Sequence, residues 1–596
     1  MQKGVSRCMM KLPKTQGGKF MKHKTITNKL VVAFLTCGML ASLLTGCGNS
    51  NNASTQASES KTPESSVETA DNKTEQPTEE AFDPRTITEG VTLTIAIKQD
   101  AKVSDYENNL QTKHVEEALG VNLDFIVIPA SDYQSKLNVM VMGGEKLPDI
   151  IFNPSSYTDW IDEGAVLELS EYYDNPDYSA NIREGSEKAN LDVRQYLTQP
   201  DGTIYAVPRL AQEIYNPVRQ KLWVYQPWLD ALGVDVPETT EEYYEVCKLV
   251  ASTDLNGNGK QDEVGLTGTG LNEWFDCLMS AFVYAHDSGW RLVEDGKVSY
   301  AFVTDEWKEG LKYIKKFFDE GLIPVETLTQ AKDQYQSLWY AETPTLFSFA
   351  YYVYNGSDAV RRSEYSYIPA LKGPNGEQNA CNMPTLPSAG AVITTDCENP
   401  LAAFLVCDYL CGSDNSVTQR YGEKGVDWDY WDVAQTKVDN PKDYVPTFEG
   451  YEISFLPYDM IGFWSSSEPQ DHCWRQAGPA ILYESMTAGA AVLSNPETEE
   501  QALNTSNELY TAEAALACTK YIPDEVFDYA PFNAEEKKVY TDIGSAFISY
   551  VRETTCAFLT GDKDIDAEWD AYLAELDKIG YNDYVAALQV AYDRVH

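Results

Sequence analysis

Val91-Thr92-Leu93-Thr94-Ile95-Ala96-Ile97 sets an apolar side chain at every second position, the period of a β-strand with one face buried. An amphipathic stretch through 114–119 predicts a helix after it, and 121–128 predicts a second strand. Residues 133–142 then read as a helix, and Pro148-Asp149-Ile150-Ile151-Phe152 as a third strand. Strands and helices taken in turn predict an α/β fold with largely parallel sheets. Downstream the same alternation continues with helix 239–251, helix 305–320, strand 345–350 and helix 400–411, before a purely helical stretch at 536–594. Asn153, Pro154, Ser155 and Ser156 follow the third strand at its C-terminal end, the place where open α/β sheets receive ligands.

Upstream of the first strand the chain has a different character. Met21 opens a basic region with Lys22, Lys24 and Lys29, followed by an apolar run over 30–44 that is too short to span a membrane. Leu44-Thr45-Gly46-Cys47 ends it. This is a signal peptide over 1–46, with Met21 as a possible start, and a lipoprotein processing site whose Cys47 thiol accepts diacylglycerol. Two acyl chains hold a protein stably on a bilayer, so anchoring on the extracellular face of the membrane is expected. Residues 47–88 are rich in Ser, Thr, Asn, Glu and Pro and form no core, as suits a flexible tether.

The formal net charge is −46. Removing 1–46 takes away eight basic residues and no acidic ones, which brings it to −54. Long-range repulsion therefore argues against nucleic acid, anionic lipid headgroups and polyanionic ligands, and a negative cleft would disfavour uronate-rich sugars. Nine cysteines after Cys47, scattered and odd in number, do not make a disulfide framework. Cys407 and Cys411 share a helix face, where free Cys ordinarily packs as a small apolar residue.

Catalytic motifs are missing. No HExxH, GxSxG or Walker loop occurs, and His472-Cys473 are adjacent residues whose side chains point apart. Two features do carry chemistry. Asp254, Asn256, Asn258, Lys260 and Asp262 stand at alternate positions of one loop, with Gly259 at its sixth place and Glu263 after it. This is the pattern by which oxygens converge on a hard cation, and it resembles the first part of an EF-hand, although Gly265 occupies the twelfth place. A structural Ca2+ site is expected, against the alternative of an Asx-rich turn. The second feature is aromatic content, 12 Trp and 38 Tyr, which suits sugar rings that stack their C–H faces on flat side chains.

Six motifs in order resemble one family, the extracellular solute-binding proteins that deliver sugars and oligosaccharides to ABC importers, in their large lipoprotein branch. They are Gly144-Glu145-Lys146-Leu147-Pro148-Asp149-Ile150, Asp201-Gly202-Thr203-Ile204-Tyr205-Ala206-Val207-Pro208, Trp228-Leu229-Asp230-Ala231-Leu232-Gly233 with Pro237-Glu238-Thr239, Tyr421-Gly422-Glu423-Lys424-Gly425-Val426, Phe558-Leu559-Thr560-Gly561 and Ala591-Tyr592-Asp593-Arg594. The resemblance implies a two-lobed α/β clamp of the periplasmic-binding-protein kind (type II), with a hinge and a helical C-terminal region. Lobe one would hold 89–208 and 369–415, and lobe two 209–368 and 416–596. It also implies a monomeric, non-enzymatic receptor that passes a carbohydrate to the membrane subunits of an importer. Asp262 and Glu263 would close the calcium shell as in alginate-binding relatives.

The expected ligand contacts combine strand ends with cleft aromatics. In lobe one they are Gln99 and Asp100 after the first strand, and Asn153, Ser155 and Tyr157 after the third. In lobe two they are Trp274 beside a Gly-Thr-Gly turn, Trp464 before a Ser run, and Tyr351 and Tyr352 where relatives carry a stacking Trp, with Trp428 and Trp431 further out. A receptor for a peptide or another small solute, and a surface-anchored glycoside hydrolase, are the alternatives.

Overall fold

The computed structural model describes residues 82–218, 220–286, 289–339, 341–351, 359–458, 469–494 and 498–596. Cys47, Tyr352 and Trp464 lie outside the described residues, as does the signal segment. Among the described residues the strands are β1 (Thr92–Lys98), β2 (Asn122–Ile128), β3 (Ile150–Phe152), β4 (Ala206–Ala211), β5 (Lys221–Tyr225), β6 (Val264–Thr267), β7 (Arg291–Glu294) and β8 (Lys297–Tyr300). They continue as β9 (Leu346–Tyr351), β10 (Tyr365–Ile368), β11 (Ser388–Ile393), β12 (Trp428–Tyr430), β13 (Tyr444–Pro446), β14 (Phe455–Pro457), β15 (Ala480–Leu482) and β16 (Ala491–Leu493).

The period-2 pattern of β1 does what it predicts. Leu93, Ile95 and Ile97 are fully buried, and β1 pairs in parallel with β2 from Thr92↔Asn122 to Lys98↔Ile128 and with β3 at Ile95↔Ile150. The helix Leu110–Leu119 makes the crossover to β2. Asn109 starts it by accepting a hydrogen bond from the Gln111 N–H, and Gly120 ends it in the left-handed conformation at φ 70°. The complete sheet runs β15-β4-β11-β3-β1-β2, with β11 antiparallel to both neighbours.

A second sheet, β10-β5-β9-β6, forms the other lobe. Its core is aromatic, with Trp223, Trp290, Trp307, Trp339 and Phe349 all buried. The helix Thr240–Ala251 flanks it and begins in a Thr239/Glu242 capping box. Three consecutive helices, Ala534–Thr560, Ile565–Ile579 and Tyr581–Asp593, cover this core with Phe547, Phe558, Trp569 and Tyr584. The chain passes from the first sheet to the second between β4 and β5 and returns between β10 and β11.

Two boundaries differ from expectation. Residues 85–88, placed in the tether, form a helical turn whose buried Thr88 hydroxyl bonds the Leu119 carbonyl. Residues 480–482, placed in the second lobe, form β15 at the edge of the first sheet, parallel to β4. The helix Ser413–Tyr421 packs beside β15, so part of the 416–596 segment builds the first lobe.

Candidate functional site

The C-terminal ends of β1 and β3 meet a segment that arrives from more than three hundred residues away. Asp100, two residues past β1, accepts a hydrogen bond from Arg475 Nε at 3.1 Å and another from the Lys102 N–H at 2.8 Å. Gln99 keeps an exposed side chain and borders a concavity of about 240 Å³ with Ser104, Tyr106 and Phe125. Beyond β3, Asn153 sits at φ 45°, a left-handed conformation that Asn tolerates better than most residues. Its N–H donates to the Gly390 carbonyl at 2.8 Å and its Nδ2 to the Gln476 carbonyl at 3.1 Å.

Gly390 is needed there. It lies at the β-bulge of β11, and a Cβ on it would stand 2.7 Å from the Pro208 carbonyl oxygen and 2.8 Å from Pro479. The close approach lets β4, β11 and the 475–479 segment pack edge to edge. Arg475 and Gln476 also adopt positive φ, 51° and 62°. Two successive left-handed residues without glycine mark a backbone held by its surroundings. Here the Gln476 N–H donates to the Gln419 carbonyl at 2.7 Å, and the Gln419 side chain accepts from the Gly478 N–H at 3.1 Å.

The side chains that result are two amides, each with an unmade hydrogen bond, and three guanidinium groups. Asn153 Oδ1 and Gln476 Nε2 are buried without a hydrogen-bond partner, one an acceptor and one a donor. Such groups cost roughly 1–3 kcal/mol each when left unmade, so each calls for a partner, whether a water or a ligand. Arg209 on β4 donates to Gln476 Oε1 at 2.8 Å. Arg420 pairs with Glu213, and Arg475 with Asp100.

The remaining expected contacts divide. Ser155 is exposed, its N–H bonded to Gln134 Oε1 at 2.8 Å. Tyr157 lies half-buried beside the first core, and burial pushes its hydroxyl pKa up to about 12, against a hydrogen bond to Gln199 that lowers it. Tyr351 ends β9 half-buried, edge-on to Trp339 at 4.8 Å, with Lys332 over its ring. Trp274 is a core residue: it is 1% exposed, and its indole N–H donates to the Gly270 carbonyl. Trp428 is likewise fully buried, bonded to the Gly422 carbonyl, and Trp431 packs on Tyr444. Arg209, Gln419, Arg475 and Gln476 were not anticipated from sequence, although Arg209 directly follows the Tyr205-Ala206-Val207-Pro208 motif.

The acidic loop folds around its own amides. Asp254 accepts from the N–H groups of Asn258 and Gly259, and the Lys260 N–H donates to Asn258 Oδ1 at 2.8 Å. Hydrogen bonds from the Asn256 and Asn258 side chains hold the Asp262 carboxyl below its ordinary pKa. Glu263 is 6% exposed; its Oε1 caps the N–H groups of Leu255 and Asn256, while Oε2 is buried without a partner. Among the described residues no group of three or more His, Cys, Asp or Glu side chains is arranged to hold a metal. The oxygen-only donor set and the orphaned Glu263 Oε2 nevertheless fit a hard cation. The two glycines at positive φ, Gly257 and Gly259, give the loop its turn.

The sequence profile of bacterial extracellular solute-binding proteins matches residues 102–416. The fructooligosaccharide ABC transporter substrate-binding protein FusA of Streptococcus pneumoniae serotype 4 is 24% identical over 531 residues, 85% of this chain and 92% of FusA. The structure of S. pneumoniae FusA in complex with kestose superposes with TM-score 0.65 at 23% identity, covering 84% of this chain and 99% of that one; an EF-hand mutant of FusA has also been solved. An HMO binding ABC-transporter associated solute binding protein from Bifidobacterium longum infantis gives TM-score 0.68 at 18% identity over 85% and 99% of the two chains. Alginate-binding protein AlgQ2, solved without calcium ion, gives 0.60 at 19% over 85% and 98%. These neighbours share the two-lobed fold. With a profile match across more than half of its length, from the loop after β1 to the helix Ser413–Tyr421, the chain belongs to the bacterial extracellular solute-binding protein family, whose members bind solutes for ABC transporters and are not enzymes.

Proposed function

We propose that this protein captures a carbohydrate, an oligosaccharide rather than a single sugar, at the ends of β1 and β3, and hands it to the membrane subunits of an ABC importer. The observation that carries the reading is the pair of buried, unpartnered amide atoms, Asn153 Oδ1 and Gln476 Nε2. A sugar hydroxyl both donates and accepts, so one ring satisfies both, and closure of the lobes over it removes the competing water. FusA, similar over most of this chain, is a fructooligosaccharide-binding protein, which supports a glycan over a peptide. Tyr351, with Tyr352 and Trp464, would supply the stacking faces, and Gln99, Asp100, Ser155 and Tyr157 the polar rim.

In this reading Cys47 carries the lipid that keeps the receptor at the extracellular face of the membrane, on the tether that follows it. The loop of Asp254, Asn256, Asn258, Lys260, Asp262 and Glu263 holds a structural Ca2+, as the EF-hand of FusA suggests. Its oxygens would turn from the loop's own amides to the ion, and Glu263 Oε2 would gain its missing partner. A thermal-shift screen against a glycan library and a peptide library, followed by calorimetry on each hit, tests the assignment. Glycan hits with saturable binding are expected; peptides shifting the protein while no glycan does would overturn it.

A further inference from the structure

Three guanidinium groups belong to the neighbourhood of Gln476, and they are not equivalent: Arg209 is bonded to its side chain, Arg475 precedes it in the chain, and Arg420 follows Gln419, whose carbonyl accepts from the Gln476 N–H. Arg475 has Asp100, and Arg420 has Glu213. Arg209 has only the neutral Gln476 carboxamide, and among the described residues no carboxylate pairs with it. Its surroundings do not favour the charge: burial pushes the guanidinium pKa down, the neighbouring Arg420 pushes it down further, and Glu213, already shared with Arg420, pulls it part of the way back. A half-buried cation that faces a second cation costs free energy until an anion joins it. In a receptor whose lobes close on a ligand, the natural source of that anion is the ligand.

We propose that the solute is an acidic oligosaccharide, bearing an anionic oxygen substituent that pairs with Arg209 while Gln476 Nε2 and Asn153 Oδ1 engage neighbouring oxygens of the same residue. The planar guanidinium suits a carboxylate or a sulfate equally, because both present two oxygens at the spacing of its N–H fork. The donor at Gln476 Nε2 adds a third bond to an acceptor-rich group. The strongly negative chain does not forbid this. Charges further away than about 8 Å are largely screened at physiological ionic strength, and Asp100 and Glu213, the carboxylates bonded to Arg475 and Arg420, are both already paired.

This inference rests on the carbohydrate reading, and one experiment separates the two. Calorimetry on the processed full-length protein, with saturating calcium, would compare oligogalacturonates, a sulfated oligosaccharide, and neutral fructo- and malto-oligosaccharides at two salt concentrations. Binding at least tenfold tighter to one acidic class than to any neutral glycan is expected, weakening as salt rises; the uronate and sulfate arms identify which group is read. Arg209→Gln should collapse the acidic-over-neutral preference at least tenfold, and Arg209→Lys, which keeps the charge but not the fork, should retain only part of it, with melting temperature reporting that each variant folds. Tight binding of neutral glycans with none of the acidic ones overturns the inference and leaves the carbohydrate receptor standing. No binding to any glycan removes both.

Discussion

Replacing Asn153 by Gly tests whether its carboxamide exists for ligand or for fold, because the two roles predict opposite signs. Folding loses the Asn153 Nδ2 hydrogen bond to the Gln476 carbonyl, about 1 kcal/mol, and the extra freedom of the unfolded Gly costs about 0.4–1 kcal/mol. Against this, the variant sheds a buried acceptor with no partner, about 1–3 kcal/mol, and relieves the φ of 45°, a left-handed conformation that costs a non-glycine residue up to about 1–2 kcal/mol. The sum is near zero or slightly stabilising. Binding has no such compensation. A ligand hydroxyl that meets Asn153 Oδ1 in the closed cleft would be left unpaired, at about 1–3 kcal/mol, which is roughly 5- to 150-fold in Kd. Urea unfolding and calorimetry with the strongest glycan from the screen give both numbers. A variant that unfolds more readily by about 3 kcal/mol or more, or that binds within twofold of the parent, refutes the reasoning and makes Asn153 a structural turn residue.

Other expectations follow from single groups. Cys47→Ser should leave the protein unprocessed or release it from the membrane fraction, since only the thiol accepts the lipid; fractionation and migration identical to the parent would rule out the anchor. Chelation should lower the melting temperature and added calcium restore it, because an ion bound only to the folded state stabilises by mass action, and Asp254→Ala should abolish the response; a flat response in the parent means that the loop is a turn and nothing more. Tyr351→Ala should weaken glycan binding by about 1–2 kcal/mol through lost stacking and apolar burial, and unchanged affinity would place the stacking surface elsewhere. Asp408, 4% exposed and holding the N–H groups of Asn181 and Ile182, has its carboxyl pushed up to about 6, chiefly by burial, from an ordinary value near 3.8. The folded state therefore holds this proton more tightly than the unfolded one, so the group's contribution is full below pH 3.8 and is lost as pH rises to about 6. Asp408→Asn should gain stability relative to the parent across that window, and unfolding at pH 4 and pH 6 that shows the reverse trend would exclude the burial as the cause.

Much of the fold was legible because its signals are local. The alternation in β1, the Thr239/Glu242 capping box and Pro400 at a helix start each declare an element within a few residues. β15 has three residues, Ala480-Ile481-Leu482, too few to show a period, and it becomes a strand only because β4 offers an unpaired edge. Trp274 was misjudged for a related reason. Gly268 suggested an exposed turn, yet a Cβ there would stand 2.1 Å from the indole. The glycine is small so that the turn can lie over the tryptophan, which makes the same residue a sign of burial.

The site shows the same asymmetry more sharply, and in its charge as well as its geometry. Asn153 could be found, since it ends a readable strand. Gln476 and Arg475 could not, because the 469–479 segment has no period of its own and takes its shape from bonds to Lys102, Ser104 and Gln419. Net charge is a signal of another kind. A value of −46 for the whole sequence describes the far field, where it governs encounter rates and solubility, and it suggested a cleft hostile to uronates. Within the site the balance is set by pairing alone: Asp100 is taken by Arg475 and Glu213 by Arg420, and Arg209 is left with an amide. If the ligand is acidic as proposed, it would meet this local excess at hydrogen-bonding distance, where one guanidinium without a carboxylate partner outweighs acidic residues dispersed over the surface beyond the screening length.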